Sequence, residues 1–116
     1  METSILEDIK RMLGIESSTT EFDIDVQSCI NSAFFTLNQL GVGPENPFSC
    51  DDDSEWVDFT TSVPYDVVRD YIFMKTRLVF DPPSSSFVTE SIKDRISELE
   101  FRMNIQCDDG GGNAHL

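Results

Sequence analysis

The sequence contains few of the residues that catalytic and metal-binding proteins need. It has one histidine, His115, close to the end of the chain, and three widely spaced cysteines, Cys29, Cys50 and Cys107. A zinc site needs closely spaced cysteine and histidine ligands, and Ser-His or Cys-His catalysis needs a histidine in the folded core. The three glycines at 110–112 open no helix, so they form no phosphate-binding loop. We therefore expect three reduced thiols, no cofactor and no enzymatic activity.

Long apolar runs are also absent, and none approaches the roughly 20 residues that a membrane-spanning helix requires. The first residues, METSILEDIKRML, mix acidic and apolar side chains and lack the basic start of a secretory signal. We therefore expect a protein that stays in the cytosol where it is made and contacts no membrane. Hydrophobic residues make up 39% of the 116 residues and include nine phenylalanines, which is enough for one domain with a modest core.

Basic residues are scarce, with 8 Lys and Arg against 22 Asp and Glu, a formal net charge of −14. Such a chain repels the phosphate backbone, which argues against ordinary nucleic-acid binding by counterion release. Two interpretations remain open. The acidity either provides solubility, or it lets the protein handle DNA without holding it, as a channel wall or as a mimic of the charge on DNA.

Apolar residues spaced three and four apart predict four long helices. Ser4 and Glu7 predict a capping box before the first helix, and Gly14 predicts its end. Thr20 and Asp23 offer a cap for the second. The third begins at Pro64 and is apolar on most of its surface, as expected for the central and most buried helix. The predicted helices cover residues 5–13, 22–40, 64–80 and 86–103.

An acidic loop at 41–58 separates the second and third long helices and contains three consecutive aspartates. The aspartates lack the alternating frame and distal glutamate of an EF-hand, so we interpret them as part of a solvated loop. Ser54 predicts a short helix at 54–59, in which Trp56 anchors the loop onto the core. The predicted fold is an all-α bundle of four to five helices over 1–105, followed by a flexible tail at 106–116.

The stretch LVFDPPSSSF, at 78–87, interrupts the pattern with two prolines. The first proline disfavours a helical backbone at Asp81, and two together set an extended corner. Ser85 or Ser86 then caps the last helix. The corner therefore separates a buried helix from a charged amphipathic one and lets the second fold back on the first.

Three segments together resemble the head-tail connector, or head-completion adaptor, proteins of long-tailed phages. They are INSAFFTLNQLGVGP (30–44), VRDYIFMKTRLVFDPP (68–83) and SSFVTESIKDRISELEFRMN (85–104). The resemblance covers roughly residues 3–104. It implies a helical subunit without enzymatic activity that assembles in the host cytoplasm into a ring, usually of twelve copies. The ring lies at the head-tail interface of the virion, under the portal protein, extends the DNA channel without binding DNA specifically, and docks the stopper or tail-completion protein.

If the protein forms such a ring, the acidic loop is a candidate lining for the DNA channel, because an acidic wall repels DNA phosphate. The candidate channel-facing residues are Asp51, Asp52, Asp53 and Glu55. The alternative is that the loop lies on the outside of the particle.

The last helix supplies candidates for the contact with the portal or with a neighbouring subunit, together with one aromatic residue that falls off the main apolar stripe of the second helix. The candidates are Phe35, Lys93, Arg95, Arg102 and Met103. For Arg102 we favour a simpler role, since Glu98 and Arg102 are spaced for a pair within the helix, worth about 0.2–0.5 kcal/mol.

Two further functions remain open. An acidic protein of this size could mimic DNA and inhibit a DNA-binding enzyme of the host, which the charge supports and the apolar stripes do not require. A plain helical regulator is also possible, although no specific feature favours it.

Overall fold

A computed structural model describes residues 4–59 and 61–110, the last five of them as backbone only. This part of the chain forms four α-helices and one short 3-10 helix, with no strand beyond an isolated bridge between Ser4 and Glu55. The α-helices are α1 (Ile5–Met12), α2 (Asp23–Gln39), α3 (Tyr65–Phe80) and α4 (Ser86–Gly110), and the 3-10 helix is Trp56–Asp58. The all-helical prediction is confirmed.

The turns that end α1 and α2 have the same geometry and are the ones that glycine permits. Gly14 has φ +83°, and the amide of Ile15 donates to the carbonyl of Lys10 at 2.8 Å. Gly41 has φ +85°, and the amide of Val42 donates to the carbonyl of Leu37 at 2.9 Å. Each is a Schellman turn, which satisfies the last carbonyls of a helix and returns an apolar residue to the core.

The predicted cap by Ser4 at the start of α1 is confirmed, whereas the starts of α2 and α3 differ from the prediction. Ser4 Oγ accepts from the amide of Glu7 at 3.0 Å. Thr20 does not cap α2; the residue before the helix is Phe22, which makes no side-chain cap. Pro64 precedes α3 instead of being its first residue. These differences of one residue are typical of helix ends.

The core lies between α2 and α3, which run in opposite directions, and α3 packs against each of the other three helices. The start of α2 meets the end of α3, where the ring centroids of Phe22 and Phe80 are 5.6 Å apart. The fully buried side chains include Ile5 and Ile9 of α1, Val26, Ile30, Phe34 and Leu37 of α2, and Val68, Tyr71 and Ile72 of α3. The prediction that α3 is the central helix is therefore confirmed, but α3 is not the most buried one, since α2 has five buried residues and α3 has four.

The proline corner acts as predicted. The backbone of Asp81 leaves the helical region at φ −146° and ψ 66°, and Ser85 caps α4 through its side chain and its carbonyl. α4 then folds back along α3, where its predicted stripe residues Ile96, Leu99 and Met103 are buried. Asn104 Nδ2 donates to the carbonyl of Leu40 at 3.1 Å, which joins α4 to the end of α2.

The helix α4 continues seven residues past its predicted end at 103. The first five residues of the predicted tail, 106–110, therefore have a helical backbone. The rest of the tail, 111–116, and with it His115, lies outside the described residues.

One hydrogen bond ties α4 to α3. The hydroxyl of the fully buried Tyr71 donates to Glu100 Oε2 at 2.7 Å. Burial, and then the contact with the Glu100 carboxylate, raises the pKa of Tyr71 well above its usual value near 10. The hydroxyl therefore stays protonated and donates throughout the neutral range.

Replacing Tyr71 with phenylalanine is expected to destabilise the protein by about 1.5–3 kcal/mol, because a hydrogen bond to a charged acceptor is lost. Since the folded pKa exceeds the unfolded one, the bond contributes fully below pH of about 10 and is lost as pH rises above it. Urea unfolding at pH 7 and at alkaline pH measures both effects. Tyr65→Phe is the matched control, because Tyr65 is partly exposed. Equal losses in the two variants would contradict the role of the bond.

Candidate functional site

The acidic loop is held against the bundle by two asparagines of α2. The side chain of Asn31 makes two bonds to the backbone of Cys50, accepting from its amide at 2.6 Å and donating to its carbonyl at 3.2 Å. Asn38 Nδ2 lies within 3.4 Å of the carbonyl of Pro44 and 3.2 Å of that of Glu45. The loop therefore has a defined path, because its backbone is satisfied by fixed side chains on a helix.

Apolar contacts anchor the same loop from beneath. Phe48 and Phe59 pack on the fully buried Phe34 of α2, each with ring centroids 4.8 Å from it, and lie 5.3 Å from one another. Gly43 lies close to this cluster, since a Cβ atom there would be 2.5 Å from the ring of Phe59. We call Phe34, Phe48 and Phe59 the aromatic cluster.

Trp56 fastens the end of the loop to α1, as predicted from the sequence. Its indole Nε1 donates to Asp8 Oδ2 at 2.9 Å, and Asp8 also pairs with Arg11. The short helix differs from the prediction, because its cap is Glu55 and not Ser54. The carbonyl of Ser54 instead accepts from the amide of Ile5 at 2.8 Å.

The four candidate channel residues share one stretch but have different environments. Asp51 forms a turn, because its Oδ1 accepts from the amide of Asp53 at 2.9 Å and from Ser54 Oγ at 3.0 Å. The bond from the amide of Asp53 is the main cause that lowers the pKa of Asp51. Asp51, Asp52 and Asp53 are exposed, whereas Glu55 is half-buried and caps the 3-10 helix together with Asp58. The exposed acidic tip is therefore Asp51–Asp53.

No set of three His, Cys, Asp or Glu side chains in the described part of the chain is placed to hold a metal ion. Nor is any helix of the described residues both long and apolar enough to cross a membrane. Cys29 and Cys50 are free thiols, as predicted, while the side chain of Cys107 lies outside the described residues. Burial raises the pKa of Cys50 to about 12, so this thiol stays protonated and unreactive at neutral pH.

The basic candidates on α4 are exposed and pair with acids of their own helix. Arg102 lies 2.8 Å from Glu98, and this pair within the helix is the one favoured from the sequence. Arg95 also approaches Glu98, at 3.6 Å, and Lys93 lies 3.8 Å from Glu90. These surface ion pairs leave α4 nearly neutral in the region of the three basic residues. Each contributes little to the free energy of unfolding.

The other two interface candidates, Phe35 and Met103, differ in how far their side chains are exposed. Phe35 is 55% exposed on the outer side of α2, in agreement with its place off the apolar stripe. Met103 is 1% exposed and belongs to the core, so its side chain offers no docking surface on the single chain. The stripe that places Met103 beside Leu99 explains this, and the interface hypothesis for Met103 is withdrawn.

From the sequence we predicted neither the hydrogen bonds of Asn31 and Asn38 to the acidic loop nor the exposed apolar residues on the outer side of α4. Asn31 and Asn38 lie among polar residues of an amphipathic helix and look like ordinary solvent-facing side chains. The outer apolar residues carry a clearer signal, because Phe87, Phe101 and Ile105 fall off the core stripe of α4 at helical spacing. All three are exposed.

Comparison with known proteins identifies one family. The family model of the phage connector protein matches residues 5–110, which include all four α-helices and the acidic loop. No curated protein and no solved structure matches the chain.

Proposed function

The chain belongs to the phage connector protein family, and on that premise we propose that it forms a ring beneath the portal that extends the DNA channel and docks the stopper or tail. Membership makes it a phage structural protein that contacts other head and tail proteins. The observation that carries the finer proposal is the extent of the match, which spans the whole helical bundle.

The arrangement of charge supports this role. The bundle is stabilised by a continuous apolar core, while its exposed surface carries most of a net charge of −14. A helical scaffold with an acidic surface can stand beside packaged DNA without binding it, because like charges repel across the water and counterions between them. The proposed role is mechanical and involves no catalysis.

We propose further that the acidic tip Asp51–Asp53 faces the channel or its mouth. The anchors at Asn31, Phe48 and Trp56 fix the base of the loop, so its charges are presented from a defined position. A fixed wall of carboxylates keeps moving DNA centred, whereas a neutral wall lets the phosphates form transient hydrogen bonds.

Changing Asp51, Asp52 and Asp53 together to asparagine is expected to slow DNA ejection, because neutral amides can donate hydrogen bonds to phosphate. The measurement is the rate of DNA release from purified particles triggered in vitro. A matched control is Glu16→Gln with Glu21→Gln and Asp25→Asn, which removes the same charge from exposed positions elsewhere. Normal ejection by the loop variant would show that the acidic tip does not line the path of the DNA.

The proposed role as a whole is tested by electron microscopy of particles from a phage in which this gene is stopped early. We expect tailless heads that package DNA and then leak it, because the channel lacks its extension and its docking surface for the stopper. Normal tailed particles, with growth failing at another stage, would contradict the proposal. That result would instead favour an acidic inhibitor of a host DNA-binding enzyme.

A further inference from the structure

Two surfaces of the bundle that carry exposed apolar side chains are left uncovered by the residues that the structure describes. The first is a groove between α2 and α3 with a volume of about 240 Å³. Its lining residues are Ser28, Cys29, Ser32, Ala33, Lys75 and Val79. Ile24 and Phe35 lie in line with Ser28 and Ser32 on α2, and they are 82% and 55% exposed. We call this surface the α2/α3 groove.

The second surface is the outer side of α4. Phe87, Asp94, Glu98, Phe101 and Ile105 follow one another at spacings of seven, four, three and four residues, so they share one face of the helix. This face lies opposite the core stripe, and Phe87 and Phe101 are 79% and 66% exposed. We call it the outer face of α4.

Large exposed apolar side chains arranged along one face mark interaction surfaces in soluble proteins. Here the outer face of α4 is also long enough to span the groove. The α2/α3 groove is about 16 Å long between Ile24 and Phe35, and the outer face of α4 is about 27 Å long between Phe87 and Ile105, at 1.5 Å per residue. A helix of that length covers the groove, as in other helix-in-groove contacts.

The unpaired charges of the two surfaces indicate which kind of helix fits the α2/α3 groove. Six of the eight Lys and Arg residues pair with carboxylates of the chain itself. Among the described residues, Lys75 in the groove makes no ion pair and only lies over the ring of Tyr71, with Nζ 5.9 Å from the centroid. On the outer face of α4, Asp94 likewise has no ion pair within the described residues, whereas Glu90 and Glu98 are paired. A helix face that carries apolar side chains and one unpaired carboxylate therefore fits this groove better than a face with an unpaired ammonium.

We propose that the outer face of α4 of one copy docks into the α2/α3 groove of the next copy. The contact joins two different surfaces, so each copy offers one groove and one helix. Such head-to-tail contacts repeat around an axis, and they form a ring where the rotation from one copy to the next closes. The inference rests on the proposed function, because it assigns the subunit contact of the proposed ring.

Cross-linking tests the contact directly. In a background with Cys29→Ser and Cys107→Ser, a cysteine is placed in the groove by Ser28→Cys and on the outer face by Ser91→Cys; both serines are exposed, and Cys50 is buried. A short thiol-specific bifunctional reagent is added to the concentrated protein, and in parallel to DNA-filled heads that lack the native protein and have been incubated with the variant. We expect a ladder of covalent multimers on a denaturing gel from at least one of the two samples.

Two controls make the ladder specific. A mixture of the two single-cysteine variants should give dimers only, because each copy then carries one reactive site. Moving the second cysteine to the acidic loop, with Asp52→Cys in place of Ser91→Cys, should remove the ladder. Absence of the ladder from both samples of the double variant overturns the inference. If the variant gives no ladder but still binds the heads, only the proposed subunit contact is wrong and the proposed function stands. If it gives a ladder but binds no heads, the proposed function is contradicted instead.

A charge exchange tests the role of Lys75. Lys75→Asp is expected to raise the concentration needed for half-maximal assembly roughly tenfold, and adding Asp94→Lys should restore it, because a close charge pair couples the two sites. Assembly is followed by sedimentation, and thermal unfolding shows that each variant is folded. No recovery in the double variant would contradict the pairing of these two residues.

Discussion

Replacing Gly43 with alanine is expected to destabilise the protein by about 2–4 kcal/mol, for two separate reasons. Gly43 has φ +97°, a backbone conformation that residues with a Cβ atom rarely adopt. The added Cβ would also lie 2.5 Å from Cε1 and Cζ of Phe59, which is 1% exposed and cannot move without disturbing the aromatic cluster. Because that cluster supports the acidic loop, the loop should lose its position as well.

Gly14→Ala provides the matched control for this prediction. Gly14 has a similar φ of +83°, but a Cβ there would have no atom within 4 Å. It should therefore show the backbone cost alone, on the order of 1 kcal/mol. Urea unfolding of the two variants measures the difference. Equal losses at Gly14 and Gly43 would mean that the contact with Phe59 is not tight.

Removing the charge of Asp23 is expected to cost about 3–5 kcal/mol, since it leaves a buried ammonium without its nearer carboxylate partner. The side chain of Lys10 is 1% exposed, and its Nζ lies 2.8 Å from Asp23 Oδ1. The carbonyl of Ser17 accepts from the same Nζ at 3.3 Å, while Glu7 is 3.9 Å away. Without Asp23, the nearest carboxylate would be that of Glu7, which at 3.9 Å is beyond hydrogen-bond distance and compensates the buried charge less well.

The opposite change should cost much less. Lys10→Met keeps the apolar stem and removes the buried charge, and the carboxylate of Asp23 is 23% exposed and can turn to water. Denaturant unfolding should therefore rank Asp23→Asn as far less stable than Lys10→Met, with the double variant close to Lys10→Met. An equal loss in the two single variants would contradict the view that desolvation of Lys10 dominates.

The helices could be predicted because their signals are local. Ser4, Gly14 and Gly41 fix helix ends through bonds to residues at most five positions away, and the proline corner acts on its own backbone. The end of α4 was predicted too early. Its apolar stripe ends at Met103, but no proline or glycine stops the helix before Gly110.

The position of the acidic loop and the burial of Lys10 could not be predicted from local patterns. Asn31 and Cys50 are 19 residues apart, and their pairing depends on the path of the loop and not on any spacing. Lys10 occupies a helix position that is usually exposed, and it is buried because the chain after α1 folds over it and brings Asp23 close.

Only those features of the candidate site that depend on local spacing could be predicted from the sequence. The exposure of Phe35 follows from its position off the stripe of α2, and the pairing of Arg102 with Glu98 follows from their spacing. The outer face of α4 was overlooked, since Phe87 and Phe101 are separated by about four turns of helix with many polar and charged residues. An apolar face of that kind becomes visible only when the core side of the helix is known.

We have proposed that this connector protein completes the DNA channel at the portal. The most direct measurement adds the purified protein to DNA-filled heads that lack it and examines the portal vertex by cryo-electron microscopy. We expect a ring of helical density beneath the portal, together with restored retention of DNA. Heads whose portal vertex gains no density, and which leak DNA as before, would contradict it.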